Sequence, residues 1–311
     1  MKKKITLAAA LIFGVAAILG ACSGGSAATT TAAPAATTEA PAPTETPAPT
    51  EAPATAAPAP ATTVDLSAPE IKAIIDRGVL KVGCKTDIPK FSLQNTATGE
   101  YEGFEDDLAY EIAGVIFGIT GAEAKAQKKV EFQGVTAKTR GPLLENGEID
   151  LVIATFTITA ERKETYNFST PYYTDAVGLL VNNDSGINSI NDLDGKIVGV
   201  AQSSTSKDGF LKYVEEKGLS VSPEFQEFDG YPALAQALAS KQIDCFSVDR
   251  AILAGYVNEG NHILDDRFAE QDYGVASAKE KTALAALVEE KVTTMLADGT
   301  MKAMQDGWGL Q

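Results

Sequence analysis

Charged and hydroxyl side chains collect at four places where a short apolar run ends. The first is Lys85, followed by Thr86, Asp87 and, a few residues on, Phe91. The second runs from Thr155 through Thr157 to Arg162, the third holds Ser203, Ser204 and Thr205, and the fourth is Asp249-Arg250. A further cation, Arg140, stands in the run Ala137 to Leu144. Guanidinium, ammonium, carboxylate and hydroxyl groups in such a set can strip the water from a small charged solute and replace it with fixed partners. Proton-transfer chemistry is poorly served, because His262 is the only histidine and lies in none of these runs. A zinc site of the H-E-x-x-H kind therefore has no ligands.

These residues need elements to hold them at strand ends. Leu80 to Cys84, Lys129 to Phe132, Asp150 to Ala154, Leu179 to Asn182, Lys196 to Val200, Glu224 to Phe228 and Ile243 to Val248 read as strands. Between them, Pro69 to Asp76, Phe104 to Phe117, Gly141 to Asn146, Glu161 to Thr165 with Thr159 as its cap, a helix after Ser206 through Val214, and Tyr231 to Ser240 read as helices. Thr282 to Ala297 and Gly299 to Gly307 supply two more. The alternation predicts an α/β fold with parallel sheets, and in such sheets ligands bind off the carboxyl ends of the strands. Ser204 and Thr205, between a strand and a helix, stand where free N–H groups favour an anion.

Composition divides the 311 residues into three parts. Residues 1–21 have three lysines, then an apolar run from Ile5 to Ile18, which is the pattern of an export signal. The run ends Leu19-Gly20-Ala21-Cys22 and resembles the bacterial lipobox, in which the cysteine is lipidated; Cys22 is the expected anchor to the outer face of the cell membrane. Residues 22–63 are Ala, Thr and Pro rich, hold eight of the 14 prolines and contain no aromatic residue, Leu, Ile or Val, so a disordered tether is expected. The globular part, from residue 64 onward, carries the whole formal charge of −16. That charge argues against a nucleic-acid partner.

The run DLVIATFTITAERKETYNFSTPYYTDAVGLLV, preceded by GPLLENGEI and followed by DLDGKIVGVAQSSTS and IDCFSVDRAI, resembles the substrate-binding proteins of ABC importers for polar amino acids, of the glutamine and glutamate type. The resemblance implies a two-lobed fold with parallel-type sheets joined by two hinge strands and a ligand held in the cleft. Lobe one would comprise 64–174 plus 275–311 and lobe two 175–274, with crossings near Tyr173 to Asp175 and Asp272 to Gly274. It implies an amino acid ligand, an ABC permease as partner, no cofactor, and a monomer.

By the same resemblance, Arg162 would fork onto the α-carboxylate with Thr157 beside it, Asp249 would hold the α-ammonium, and Arg140 would meet the distal end of the ligand. Lys85 would add a second positive group there, Phe91 an aromatic wall, and Thr155, Ser204 and Thr205 further lining. The set Lys85, Arg140 and Arg162 against Asp249 carries a local +2, which favours glutamate over glutamine or aspartate; Asp87, two residues from Lys85, opposes it. A chemosensory receptor shares this site, and a cyclohexadienyl dehydratase-like enzyme shares the fold, although no histidine is available as its acid or base. Cys84 and Cys245 are expected as free, buried thiols in different lobes.

Overall fold

The computed structural model describes residues 65–310. Cys22, the export signal and the tether fall outside the described residues. Among the described residues no helix is long and apolar enough to cross a membrane.

Two separate sheets form the centres of two lobes. In the first, Leu80–Cys84 runs parallel to Val130–Gly134 on one side and to Leu151–Val152 on the other. Ala276–Ala278 is antiparallel to Leu151–Val152 and is flanked by Tyr166–Phe168. In the second, Ile197–Ala201 lies parallel to Glu224–Phe228 and Cys245–Asp249, while Tyr173–Asn182 is antiparallel to Cys245–Asp249, Asn261–Ile263 and Phe268–Tyr273. Both sheets are thus mixed, where the β/α alternation predicts parallel ones. The antiparallel members are the strands by which the chain leaves one lobe and returns to it, and no local period marks that reversal.

The chain crosses between lobes twice. Tyr173–Asn182 begins beside the first sheet and ends inside the second, and Phe268–Tyr273 makes the return trip against it, with Tyr273 opposite Tyr173 and Gln271 opposite Asp175. At the crossing the rings of Tyr173 and Tyr273 stack at 5.9 Å, and Phe91 meets them edge-on at 5.1 and 6.1 Å. Phe91 is fully buried in this seam and also meets Phe104 edge-on, so its surroundings are those of a hinge core.

The helices follow from amphipathic spacing. Phe104–Phe117 buries Leu108, Ile112 and Ile116 on the first sheet and stops at Gly118, whose left-handed conformation returns its N–H to Gly114 and Val115. Its start is set by a close approach. A Cβ at Gly103 would lie 2.0 Å from the Phe91 carbonyl oxygen, so only glycine lets Phe104 and Glu105 donate their N–H groups to Lys90 and Phe91. That contact places Glu105 inside the lobe.

Cys84 and Cys245 are both buried and free. Sequence periodicity misses the small antiparallel sheet of Asp87–Ile88, Ser92–Gln94 and Tyr101–Glu102, and the helix Gly121–Ala126 with its Thr120–Glu123 capping box. These elements span two to six residues, too few to show a period.

Candidate functional site

The four strand ends meet along the line where the lobes face each other. On the first lobe, the strand expected to reach Ala154 stops at Val152, and Thr155 takes a left-handed backbone conformation with φ 46°. That conformation is strained for a β-branched residue and must be imposed by its neighbours. Glu105 Oε1 accepts the Thr155 N–H at 2.6 Å, and Arg140 Nη1 donates to the carbonyls of Ala154 and Thr155 at 2.7 and 3.1 Å. Tyr172 Oη donates to the same carboxylate oxygen.

Arg162 sits one turn into the short helix Ala160–Thr165, capped by Thr159, whose hydroxyl accepts the Arg162 N–H at 3.1 Å. Its side chain points away from the helix. Nη1 donates to the Thr157 carbonyl at 2.7 Å, and Nη2 reaches across to the Ser203 carbonyl at 3.1 Å. Ser203, like Thr155, is left-handed, with φ 60°. Arg140 and Arg162 therefore each hold the carbonyl of one strained strand-end residue, and both guanidinium carbons lie over the Phe156 ring, at 4.1 and 4.7 Å from its centre. Burial first, and then repulsion from Arg140, lowers the Arg162 pKa.

Lys85 is 2 % exposed. Its Nζ lies 3.3 Å from Asp87 Oδ1 and 4.5 Å from the centre of the Tyr231 ring, which belongs to the opposite lobe. Burial lowers the Lys85 pKa, Asp87 opposes that, and Arg140 adds to it. A second crossing contact lies beside it, where Tyr256 Oη donates to the Asp87 carbonyl at 2.8 Å.

Asp249 ends the strand Cys245–Asp249 and occupies the position before the helix Arg250–Leu253, but its carboxylate makes no capping bond. Asp175 does that work, accepting the Ala251 N–H at 2.7 Å. The Asp249 carboxylate is thus released from a local role and turns toward Tyr273, whose hydroxyl donates to Oδ2. Burial raises its pKa to about 7.

Ser204, Thr205 and Ser206 form the turn into the helix Ser206–Lys217. The Thr205 hydroxyl makes no capping bond and donates instead to Gln271 Oε1 at 2.6 Å. Thr157, on the other lobe, donates to the same oxygen at 2.7 Å. Buried polar atoms without a partner cluster here: Thr155 Oγ1, Ser204 Oγ, Ser206 Oγ, Gln202 Oε1 and Arg140 Nε. Such groups are costly to bury unless something else satisfies them.

Lys85, Arg140, Thr155, Thr157, Arg162, Ser204, Thr205 and Asp249 thus gather at one interface, and Phe91 adjoins it through its contact with the ring of Tyr273, the partner of Asp249. Residues that sequence reasoning did not select include Glu105, Phe156, Tyr231, Gln271 and Tyr273. None carries a local signal, since a glutamate at the second position of a helix or a glutamine in a strand reads as ordinary polarity. Glu105 and Asp87 also alter the charge count: three cations now face three carboxyl groups. Burial raises the Glu105 pKa to about 7, against the pull of Tyr172, Thr155 and the two nearby cations.

Residues 80–311 match the family model of bacterial extracellular solute-binding proteins, family 3. A glutamine-binding protein of Geobacillus stearothermophilus is 39% identical over 227 residues, covering 71% of this chain and 81% of the relative. An ABC transporter glutamine-binding protein of Bacillus subtilis is 36% identical over 242 residues, covering 76% and 84%. A glutamate-binding protein of Corynebacterium glutamicum is 27% identical over 241 residues, covering 75% and 79%. Among solved structures, an ancestral amino acid-binding protein described as a precursor of cyclohexadienyl dehydratase superposes with a TM-score of 0.64 at 27% identity, covering 76% of this chain and 98% of its own.

Proposed function

Because the chain belongs to family 3 of the bacterial extracellular solute-binding proteins, we propose that it captures glutamate between its lobes and delivers it to an ABC permease. Arg162 takes the α-carboxylate, helped by the N–H groups at the start of the helix Ser206–Lys217. Asp249 takes the α-ammonium, and Lys85 with Arg140 takes the distal carboxylate. Ser204 and Thr155 line the site with hydroxyls.

The observation that carries the choice of ligand is the kind of hydrogen-bonding capacity left over. Arg140 Nε is buried without a partner. The Lys85 ammonium lies over the face of the Tyr231 ring and has a 3.3 Å ion pair to Asp87, longer than the about 2.8 Å of a strong charge-assisted bond. Both groups can only donate, and a carboxylate can only accept. Glu105 opposes them only in part, because burial raises its pKa to about 7 and so favours its neutral form. Glutamine is the second reading. Asp87 Oδ1, buried without a hydrogen bond, could accept from a carboxamide, and two of the relatives above are glutamine-binding proteins. Calorimetry on residues 64–311 with both amino acids separates the readings. Tighter binding of glutamate is expected, and tighter binding of glutamine would overturn the choice.

The lobes we assign are 64–174 with 275–311, and 175–274, in a monomer that closes on its ligand. Cys22 anchors the mature chain by lipid, with residues 22–63 as tether; Cys22→Ser should move the protein from the membrane fraction to the medium. The described cleft residues include no histidine, and its carboxyl groups are assigned to the ligand ammonium (Asp249) and to bracing Thr155 (Glu105), so incubation with prephenate or arogenate should show no turnover. The chemosensory alternative shares the same ligand site, and finding a permease and ATPase gene pair beside this gene would favour transport over it.

A further inference from the structure

Gln271 lies on the returning hinge strand and is 3 % exposed. Its carboxamide has two ends that look alike in shape and differ in chemistry, and the surroundings decide which is which. Nε2 donates to the Ala269 carbonyl at 2.7 Å. A carbonyl can only accept, so the nitrogen must be on that side. The Ala269 carbonyl is aimed there by an irregularity in the strand: the register against Tyr173–Asn182 shifts between Phe268 and Glu270, and Ala269 is left-handed with φ 48°. With the nitrogen fixed, Oε1 faces Thr157 at 2.7 Å and Thr205 at 2.6 Å.

A threonine hydroxyl has one proton to give and two lone pairs to receive with. Oε1 cannot donate, so both hydroxyls must spend their single proton on it. Thr157 belongs to the first lobe and Thr205 to the second, and their remaining capacity is purely that of acceptors. An acceptor repels a carboxylate and attracts an ammonium. The Thr157 hydroxyl, which the sequence resemblance places beside Arg162 on the α-carboxylate, is turned by Gln271 into a partner for a donor.

We propose that Gln271 is a positioning residue that does not touch the ligand but sets the polarity of two hydroxyls that do, and that joins the lobes through them when the cleft is closed. This rests on the amino acid reading above, since only a ligand with a cationic donor gains from two hydroxyls locked as acceptors. The bulge at Ala269, the amide orientation and the two hydroxyls act as one unit: without the Ala269 carbonyl the amide can turn over, present Nε2 to the threonines, and reverse both hydroxyls.

The test is calorimetry with L-glutamate, repeated with L-glutamine, on wild type and on Gln271→Met and Gln271→Glu. Methionine matches glutamine in length and volume and removes the acceptor; glutamate keeps an acceptor oxygen toward both hydroxyls, its second oxygen standing opposite the Ala269 carbonyl in place of the donor Nε2. Gln271→Met should bind about tenfold more weakly, the scale of losing one to two hydrogen bonds to a charged partner, and Gln271→Glu should recover most of that loss. In a Thr157→Val, Thr205→Val background, Gln271→Met should cost nothing further, because its effect passes through those hydroxyls. Unchanged affinity in Gln271→Met overturns the proposal, as do equal losses in the Met and Glu variants or an additive loss in the double-valine background. If wild type binds neither amino acid, the ligand assignment falls and this inference with it; if wild type binds and the variants behave alike, this inference alone falls. Melting temperatures of the variants are recorded first, and the double-valine cycle gives an answer even where Gln271→Met is less stable than wild type.

Discussion

The two faces of the cleft are built by opposite means. On the first lobe, Thr155 is fixed from both ends, its N–H by Glu105 and its carbonyl by Arg140, with Phe156 as a floor under Arg140 and Arg162. On the second lobe, the turn Gln202 to Ser206 holds three partnerless polar atoms, and its strained residue Ser203 is held by Arg162 from the far side. One face is preorganised by its own charges and the other is completed by its neighbour. A cleft of this kind can open without dismantling the face that carries the charge, and its affinity depends on closure as well as on contact.

The largest test of this asymmetry is Arg162→Ala. It removes both the proposed carboxylate partner and the bond to Ser203, and glutamate binding should weaken by about 2 to 5 kcal/mol. Unchanged affinity by calorimetry would remove Arg162 from the site.

Asp249→Asn should cost about 1.5 to 3 kcal/mol of glutamate affinity by loss of the charge facing the ammonium. Its proton gives a second handle. Buried in the fold, Asp249 titrates at about 7 instead of 3.8, and Glu105 also titrates at about 7 instead of 4.5. Between those values the folded chain keeps protons that the unfolded chain has lost, so the contribution of these two groups to ligand-free stability is greatest at about pH 4 and is lost as pH rises to about 7. Glutamate affinity should move the other way over the same interval, because the ammonium needs the Asp249 carboxylate. Melting curves and calorimetry at matched pH test this, and slopes of the same sign would break the pairing of Asp249 with the ligand.

Arg140→Gln sharpens the comparison within the first face, since Arg140 both braces Thr155 and meets the distal group. Glutamate should lose more than glutamine, by about 1.4 kcal/mol or tenfold in the affinity ratio; equal losses would leave only the bracing role. The smallest effect is expected from Tyr256→Phe, which removes the crossing bond to the Asp87 carbonyl and touches no proposed ligand group. Affinity should fall by about 0.5 to 1.5 kcal/mol. Calorimetry with glutamate on Tyr256→Phe checks this.

Elements and charges of both lobes are legible in the sequence. Phe104–Phe117, Glu224–Phe228 and Thr282–Ala297 lie where periodicity places them, and Thr159 caps its helix as its type suggests. Arg162 and Asp249 stand out as charges at strand ends, and Arg140 through the family resemblance. The bracing residues were not readable. Glu105 is 50 residues from Thr155, Asp175 takes over the capping that Asp249's position predicts, and Gln271 is 114 residues from Thr157.

What the sequence determined by itself is which elements form and which charges stand at their ends, because those follow from spacing over a few residues. The net charge of −16 is likewise a property of composition, and it says nothing of a cleft where Lys85, Arg140 and Arg162 converge. Only the tertiary structure decided the direction of the hydroxyl protons, the release of Asp249 from its helix and the strain in Thr155. Each depends on a hydrogen-bond partner from a distant part of the chain, and such a partner leaves no periodic trace in either segment.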